Sequence, residues 1–290
     1  MLRLSLELPL YRASFAERRE VALATEAAGF DGVWVPDHLV AAREGEAVPA
    51  ECWTTLSAIA ASTAQVAIGP LVLVLALRNP TLVAREAATL DQLSGGRLTL
   101  ALGLGGFTYR RAARALGLDP LGLGERARRL EDGIATMRRI WQAASARRVS
   151  ICLAGRSREL LEVAARTADT WNCPFAAELE DATRALDALC ARAGRPAGEI
   201  ARSVYSVGAI ARTTGEAERV LAGAGAMARL FGDVRRGHVF GTPAAALERL
   251  AGFARAGASE VMLHLLGDHE TRLAAIDLVG AQIVPHLKDL

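Results

Sequence analysis

The sequence predicts a (β/α)8 barrel, and three observations carry that prediction. Strand-like and helix-like segments alternate along all 290 residues. The strand-like segments are short and mostly apolar, as strands covered by helices must be. No stretch rich in Pro, Gly or Ser divides the chain, so one domain over residues 1–290 is expected. A doubly wound open sheet is the competing architecture.

Leu2–Leu8 reads as the first strand. Ser14 with Glu17 forms a capping box that opens a helix to about Ala28, because hydroxyl and carboxylate satisfy each other's orphan amides. Gly29 ends that helix, and Gly32–Val35 is a short buried strand. A helix from about Trp53 to Thr63 precedes a β-branched strand, Val66–Val74. Asn79-Pro80 supplies a cap and a first helical proline. That helix stops at Ser94-Gly95-Gly96, where glycine supplies a left-handed turn. Arg97–Gly103 is the fourth strand, and a long helix runs from about Gly124 to Ala144.

The second half repeats the scheme. Strands are expected at Val149–Leu153, Thr170–Cys173, Ser203–Ile210 and Glu260–Leu266. Helices are expected near Arg156–Ala168, Ala177–Ala193, Thr242–Ala256 and Thr271–Pro285.

Composition narrows the function. Lys plus Arg number 34 against 32 Asp plus Glu, so no net field selects nucleic acid or an anionic membrane. The four cysteines form no CxxC pair and flank no histidines at zinc-ligand spacing, so no metal site is expected and a reducing cytoplasm is. The start, MLRLSLELPLY, alternates like a strand and does not read as a signal peptide. Ala67–Leu77, the longest apolar run, is too short to span a bilayer.

A barrel of this kind builds its site where strands end and the following loops begin. The second strand ends in Val35-Pro36-Asp37-His38, which puts a carboxylate beside an imidazole that titrates near neutrality. Asp37 and His38 are the catalytic candidates; a structural pair capping the loop is the alternative. The fourth strand runs into Gly103-Leu104-Gly105-Gly106, where backbone is free to approach a planar ring or a phosphate. The fifth ends in Ala154-Gly155-Arg156-Ser157 before a helix, which makes an anion site or an ordinary turn with a solvated arginine. Glu7, closing the first strand, faces the pocket or solvent. There is no P-loop spacing and no complete GxGxxG after an early strand.

Together the segments resemble a known family. Glu26–His38, reading EAAGFDGVWVPDH, is similar to the second-strand signature of the luciferase-like superfamily. Arg78-Asn79-Pro80, Leu90–Leu98 and Ala164–Asn172 resemble its further signatures. The resemblance implies a luciferase-like barrel with a shortened insertion before the fifth strand, since only seven residues separate Trp141 from Val149. It implies a flavin or deazaflavin cofactor. Asp-His after the tryptophan resembles the branch that uses coenzyme F-420, including the methylenetetrahydromethanopterin reductases.

By that resemblance Asp37 and His38 sit at the reacting face. Leu71-Val72 forms a non-prolyl cis peptide behind the ring, with Gly105 also at the cofactor. Ala154, Gly155, Arg156 and Ser157 hold the phosphate, with Cys173 nearby. Glu7 and Trp53 line the substrate pocket. One departure stands out: the run Phe107-Thr108-Tyr109-Arg110-Arg111-Ala112 lacks the acidic residue that relatives often carry there.

The leading expectation is therefore hydride transfer between coenzyme F-420 and a small organic molecule. An FMN-dependent monooxygenase is the second, and a flavin-binding protein without turnover the third. A homodimer using Trp53, Leu56 and Ile59 is expected, as is a separate flavin or F-420 reductase.

Overall fold

A computed structural model of the chain describes residues 1–9, 13–41, 47–144, 148–225 and 232–290. Among these residues ten strands form one all-parallel sheet, nine of them in the order β3-β2-β1-β10-β8-β7-β6-β5-β4. They are β1 (Arg3–Glu7), β2 (Gly32–Val35), β3 (Ala67–Pro70), β4 (Leu73–Val74), β5 (Thr99–Gly103), β6 (Ser150–Ala154), β7 (Thr170–Cys173), β8 (Ala201–Ile210), β9 (Val239–Gly241) and β10 (Glu260–Leu265). The predicted third strand is split in two: β3 and β4 flank Leu71-Val72, whose peptide bond is cis. Among the described residues strand β9 pairs only with β8. Ten strands less β9, with β3 and β4 sharing one place, leave the eight positions of the barrel. The ring closes where Ile68 N donates to Arg97 O at 3.0 Å and Ile68 bridges Leu98.

Helices follow the strands: α1 (Phe15–Ala27), α2 (Cys52–Ser62), α3 (Pro80–Leu93), α4 (Tyr109–Ala115), α5 (Leu123–Ala143), α6 (Arg158–Thr167), α7 (Leu179–Arg192) and α8 (Thr214–Gly223), then Pro243–Arg255 and His269–Gln282. Their starts obey the predicted chemistry. Ser14 and Glu17 form the capping box, and Asn79 Oδ1 accepts from Thr81 and Leu82 amides ahead of Pro80. Helices α4 and α8, and strand β9, are additions that the sequence reading lacks. The connection before β6 begins after Ala143, and its residues 145–147 lie outside the described ones.

Alternation sorts the strand side chains. Leu2, Leu4, Leu6 and Leu8 pack outward against helices in the main core, while Ser5 and Glu7 point into the barrel. A second cluster fills the interior: Trp34, Ala101, Cys152 and Met262, with Leu71, Val72 and Tyr205 packed on it. Among the described residues no helix is long and apolar enough to cross a membrane.

The N-terminal ends of the strands are stapled by side-chain-to-backbone hydrogen bonds. Asp31 Oδ2 accepts from Leu4 N at 2.8 Å. Glu26 Oε1 accepts from the amides of Ala64, Gln65 and Val66. Arg97 donates to the carbonyls of Ala60, Thr63 and Val66, and Asp169 Oδ2 accepts from Ile151 N at 2.9 Å. Such bonds hold the closed ring at this end; the opposite, C-terminal end is left for the site.

Candidate active site

The strand ends gather a carboxylate, a phenol and two imidazoles at one mouth. Glu7, on β1, is 8% exposed. Its Oε2 accepts from the Tyr205 hydroxyl at 2.7 Å and lies 2.6 Å from His264 Nδ1. Glu7 thus faces the pocket, not solvent. Burial, reinforced by that carboxylate, holds the Tyr205 hydroxyl well above its ordinary pKa, so it stays a donor. Tyr205 and His264 were missed in the sequence. Their signal was present: β8 and β10 carry Ser203-x-Tyr205 and Glu260-x-Met262-x-His264 at the strand period of two, all on the interior face.

His38 follows β2 and is half-buried at the same rim. Burial lowers its pKa from the ordinary 6.5, and the charges of Glu7 and Asp37 oppose that shift without reversing it. The imidazole is therefore neutral at pH 7. Its ring centroid is 6.4 Å from that of Phe107, with the planes tilted by 57°. Phe107, which stands in the run lacking the acidic residue, is 72% exposed.

Asp37 does not pair with His38. Its Oδ1 accepts from Arg78 Nη2 at 2.7 Å, with Glu51 a further 3.5 Å contact of the same guanidinium. Burial raises the Asp37 pKa, and Arg78 pulls it back only partly. The reason for the pairing is geometric: Arg78 ends the 3-10 turn after β4 and turns back across the rim.

Leu71 and Val72 line the interior beside Trp34. A Cβ on Gly69 would lie 2.3 Å from Trp34 Cζ3, so the indole occupies the space that a side chain there would need. On the next strand a Cβ on Gly103 would lie 2.7 Å from Val72 Cγ2. Gly105 has φ +82°, and a Cβ there would crowd Tyr109 and Val74, whereas one on Gly106 would meet nothing within 4 Å. The arrangement gives a smooth apolar floor at the cis peptide and an open glycine edge beside it, which fits a planar tricyclic ring. Arg126, on α5, fastens this edge: its Nη1 donates to the carbonyls of Leu104 and Gly105, and its guanidinium stacks 4.2 Å over the Tyr109 ring.

Ala154–Ser157 enters α6. Gly155 has φ +145°, and Trp171 Nε1 donates to its carbonyl at 2.8 Å. Ser157 Oγ is the N-cap and accepts from Leu160 N at 3.3 Å, so its hydroxyl is already engaged. The helix start still offers backbone amides to an anion. Arg156 is exposed, paired with Glu178 at 2.8 Å and placed 5.1 Å over the Phe175 ring.

Two expected positions fall elsewhere. Cys173 is fully buried and donates to Phe175 O at 3.3 Å; burial pushes its thiol up to about 11. Its side chain is core, because the outward face of β7 packs against helices. Trp53 belongs to the main core with Leu56 and Ile59, both 0% exposed, and not to the interior cluster. That corrects the reading of these three as a subunit contact: their own barrel covers them.

Comparison with known proteins adds the following. A family model described as luciferase-like monooxygenase matches residues 3–284. An F-420-dependent glucose-6-phosphate dehydrogenase of Beutenbergia cavernae is 40% identical over 144 residues, taking in 45% of this chain and 40% of that protein. An F-420-dependent hydroxymycolic acid dehydrogenase of Mycobacterium tuberculosis is 35% identical over 122 residues, 41% of this chain and 33% of that one. The matches thus span about two fifths or less of these relatives' length. Among solved structures, an F-420-dependent secondary alcohol dehydrogenase with an F-420–acetone adduct superposes with a TM-score of 0.83 over 99% of both chains at 18% identity, a likeness of fold.

Proposed function

The chain belongs to the luciferase-like monooxygenase family, and from that premise we propose that it is an oxidoreductase moving hydride between coenzyme F-420 and a small organic substrate. The observation that carries the reading is the gathering of Glu7, Tyr205 and His264 at the strand ends, with the half-buried His38 after β2 close enough to feel the charge of Glu7. The names of the partial relatives, F-420-dependent dehydrogenases, favour the deazaflavin over FMN.

When bound, the deazaflavin supplies the carbon that gives or accepts hydride. Leu71 and Val72 support the ring from behind, and Gly105 and Gly106 let backbone approach its edge. The α6 amides after Ala154-Gly155 hold the phosphate, with Arg156 adding charge from the rim. His38, neutral at pH 7, takes the proton released when an alcohol is oxidised and returns it in the reverse direction. Glu7 and Tyr205 orient His264 and the substrate's polar end. Asp37 acts through Arg78 as a positioning group for the loop that carries His38.

The chain is proposed to act as one barrel domain over residues 1–290, in a reducing cytoplasm that suits its four free, buried thiols. A homodimer and a separate reductase belong to the same proposal. Leu82 and Leu93 on α3, 57% and 77% exposed, are better candidates for a subunit contact than the buried α2 residues.

Titration of the purified protein with F-420 and with FMN, followed by absorbance and fluorescence, tests the cofactor. Saturable F-420 binding with hydride transfer to a carbonyl or imine panel is expected. Tight FMN binding with oxygen consumption would move the assignment to a monooxygenase, and cofactor binding without any turnover to a carrier.

A further inference from the structure

We propose that the cleft between α8 and the helix His269–Gln282 is an anion-binding arm of the active site and takes the carboxylate or phosphate group of the substrate. The inference rests on the reading of the barrel mouth as a hydride-transfer site. The cleft has a volume of about 1150 Å³ and reaches from Pro9 and His264 at the rim to Ala281 and Gln282. It lies at β1, β8 and β10, separated from the Ala154–Ser157 loop of β6 by β7. A ring anchored through its phosphate at β6 therefore leaves this side of the mouth to the substrate.

The walls carry Arg212, Arg219 and Arg272. Among the described residues none of these three enters an ion pair, although arginines elsewhere on the surface are widely paired. Arg272 is the informative one. It is 9% exposed, and its donors reach only neutral carbonyls, Nε to Leu265 O at 3.3 Å and Nη2 to Gly267 O at 2.8 Å. Buried charges are ordinarily held by a direct partner; the charges of Asp268, Glu17 and Glu7 act on the Arg272 guanidinium, but no described carboxylate contacts it. The nearby carboxylates make their hydrogen bonds elsewhere. Glu216 Oε2 accepts from Thr213 N at 3.0 Å and Asp268 Oδ1 from Thr271 N at 2.9 Å, both as helix caps. Glu7 is engaged by Tyr205 and His264. Asp277 remains, further along the helix. An anion seated at Arg272, with Arg212 and Arg219 closing over it, gives these three guanidinium groups a direct anionic contact, which no described carboxylate makes, and directs the rest of the molecule toward His264.

Calorimetric titration of the cofactor-free protein with inorganic phosphate, and separately with acetate, tests the cleft and separates the two anion classes. One of them should bind saturably and weaken at least about tenfold in an Arg212→Ala, Arg219→Ala double variant, the scale of lost charged hydrogen bonds. Both residues are exposed, so that variant keeps its fold. Arg272→Lys should retain part of the binding that Arg272→Gln loses, with melting curves to verify folding. Equal affinity in wild type and double variant, or no binding of either anion, overturns the proposal. So does stoichiometric displacement of bound F-420 by phosphate, which would give the cleft to the cofactor. Arginine-dependent anion binding in a protein that takes no F-420 supports the cleft and removes the cofactor reading instead.

Discussion

Asp37 Oδ1 sits 2.7 Å from Arg78 Nη2, so the carboxylate next to His38 in sequence is spent on a guanidinium and not on the imidazole. The Asp37 side chain is 1% exposed and that of Arg78 16%, which makes the pair one that cannot be broken cheaply. Arg78→Met leaves a buried carboxylate without its partner and should lower stability by about 3 kcal/mol, read as a fall in melting temperature. Replacing both partners, Asp37→Asn with Arg78→Met, should recover part of the loss. An unchanged melting temperature in the single variant would mean that water reaches Asp37.

His38 should show its role in a pH profile. Burial depresses its folded pKa below 6.5, so the folded chain binds fewer protons there than the unfolded one. Its contribution to stability is accordingly complete above pH 6.5 and lost as pH falls toward the folded value. The acidic limb of kcat/KM should likewise lie below 6.5. His38→Ala should cut turnover by roughly 100-fold, the common scale of a lost general base, with little change in melting temperature. Activity within a factor of two of wild type would remove the imidazole from the reaction.

Much of this was legible in the chain. Gly32–Val35 and Thr170–Cys173 fall where they were read, because caps and glycine stops bound them. The family-like segments turn out to do two jobs. Glu26, Asp31, Arg97 and Asp169 staple the N-terminal ends of strands, whereas Asp37 and His38 occupy the opposite end. Sequence alone cannot separate the two, since both are polar residues flanking apolar runs. The Glu7–Tyr205–His264 contact was out of reach for another reason: its members are 198 and 257 residues from Glu7. Helix α8 was overlooked although Thr213 and Glu216 spell a capping box, because glycine and alanine around it blurred the apolar period.

The phosphate loop gives a contrast between backbone and side chain. Gly155 holds φ +145°, and a Cβ there would come within 2.9 Å of Leu160 Cδ2. Gly155→Ala should therefore distort the α6 entrance and raise the cofactor Kd by about tenfold or more, as strain at such a φ costs 1–3 kcal/mol. Arg156→Ala should weaken binding by only a few-fold, because the side chain is exposed and already paired with Glu178. Neither change should alter the rate at saturating cofactor by much. A larger loss in Arg156→Ala than in Gly155→Ala would make the guanidinium, and not the amides, the main phosphate ligand.

Self-association is to be measured by light scattering at micromolar concentration, where a dimer of 30.6 kDa chains is expected. If Leu82 and Leu93 form the contact, changing both to Asp should yield monomer without lowering the melting temperature. A wild-type mass of one chain ends the dimer proposal.

Arg126 supplies the last test, because it lies on α5 and acts on a loop it does not belong to. Its Nη1 bonds to Leu104 O and Gly105 O hold the glycine edge in place, and its stacking on Tyr109 fixes the guanidinium itself. Arg126→Met keeps the aliphatic stem and loses the donors, leaving two carbonyls to find water. The loop should then loosen: cofactor Kd should rise by about tenfold, the cost of one or two charged hydrogen bonds. Arg126→Lys should fall between, since one ammonium reaches a carbonyl but does not stack as a plane. A structural role confined to α5 would instead lower the melting temperature and leave cofactor affinity alone. The two readings therefore separate on a single pair of measurements, Kd and melting temperature, made on the same two variants.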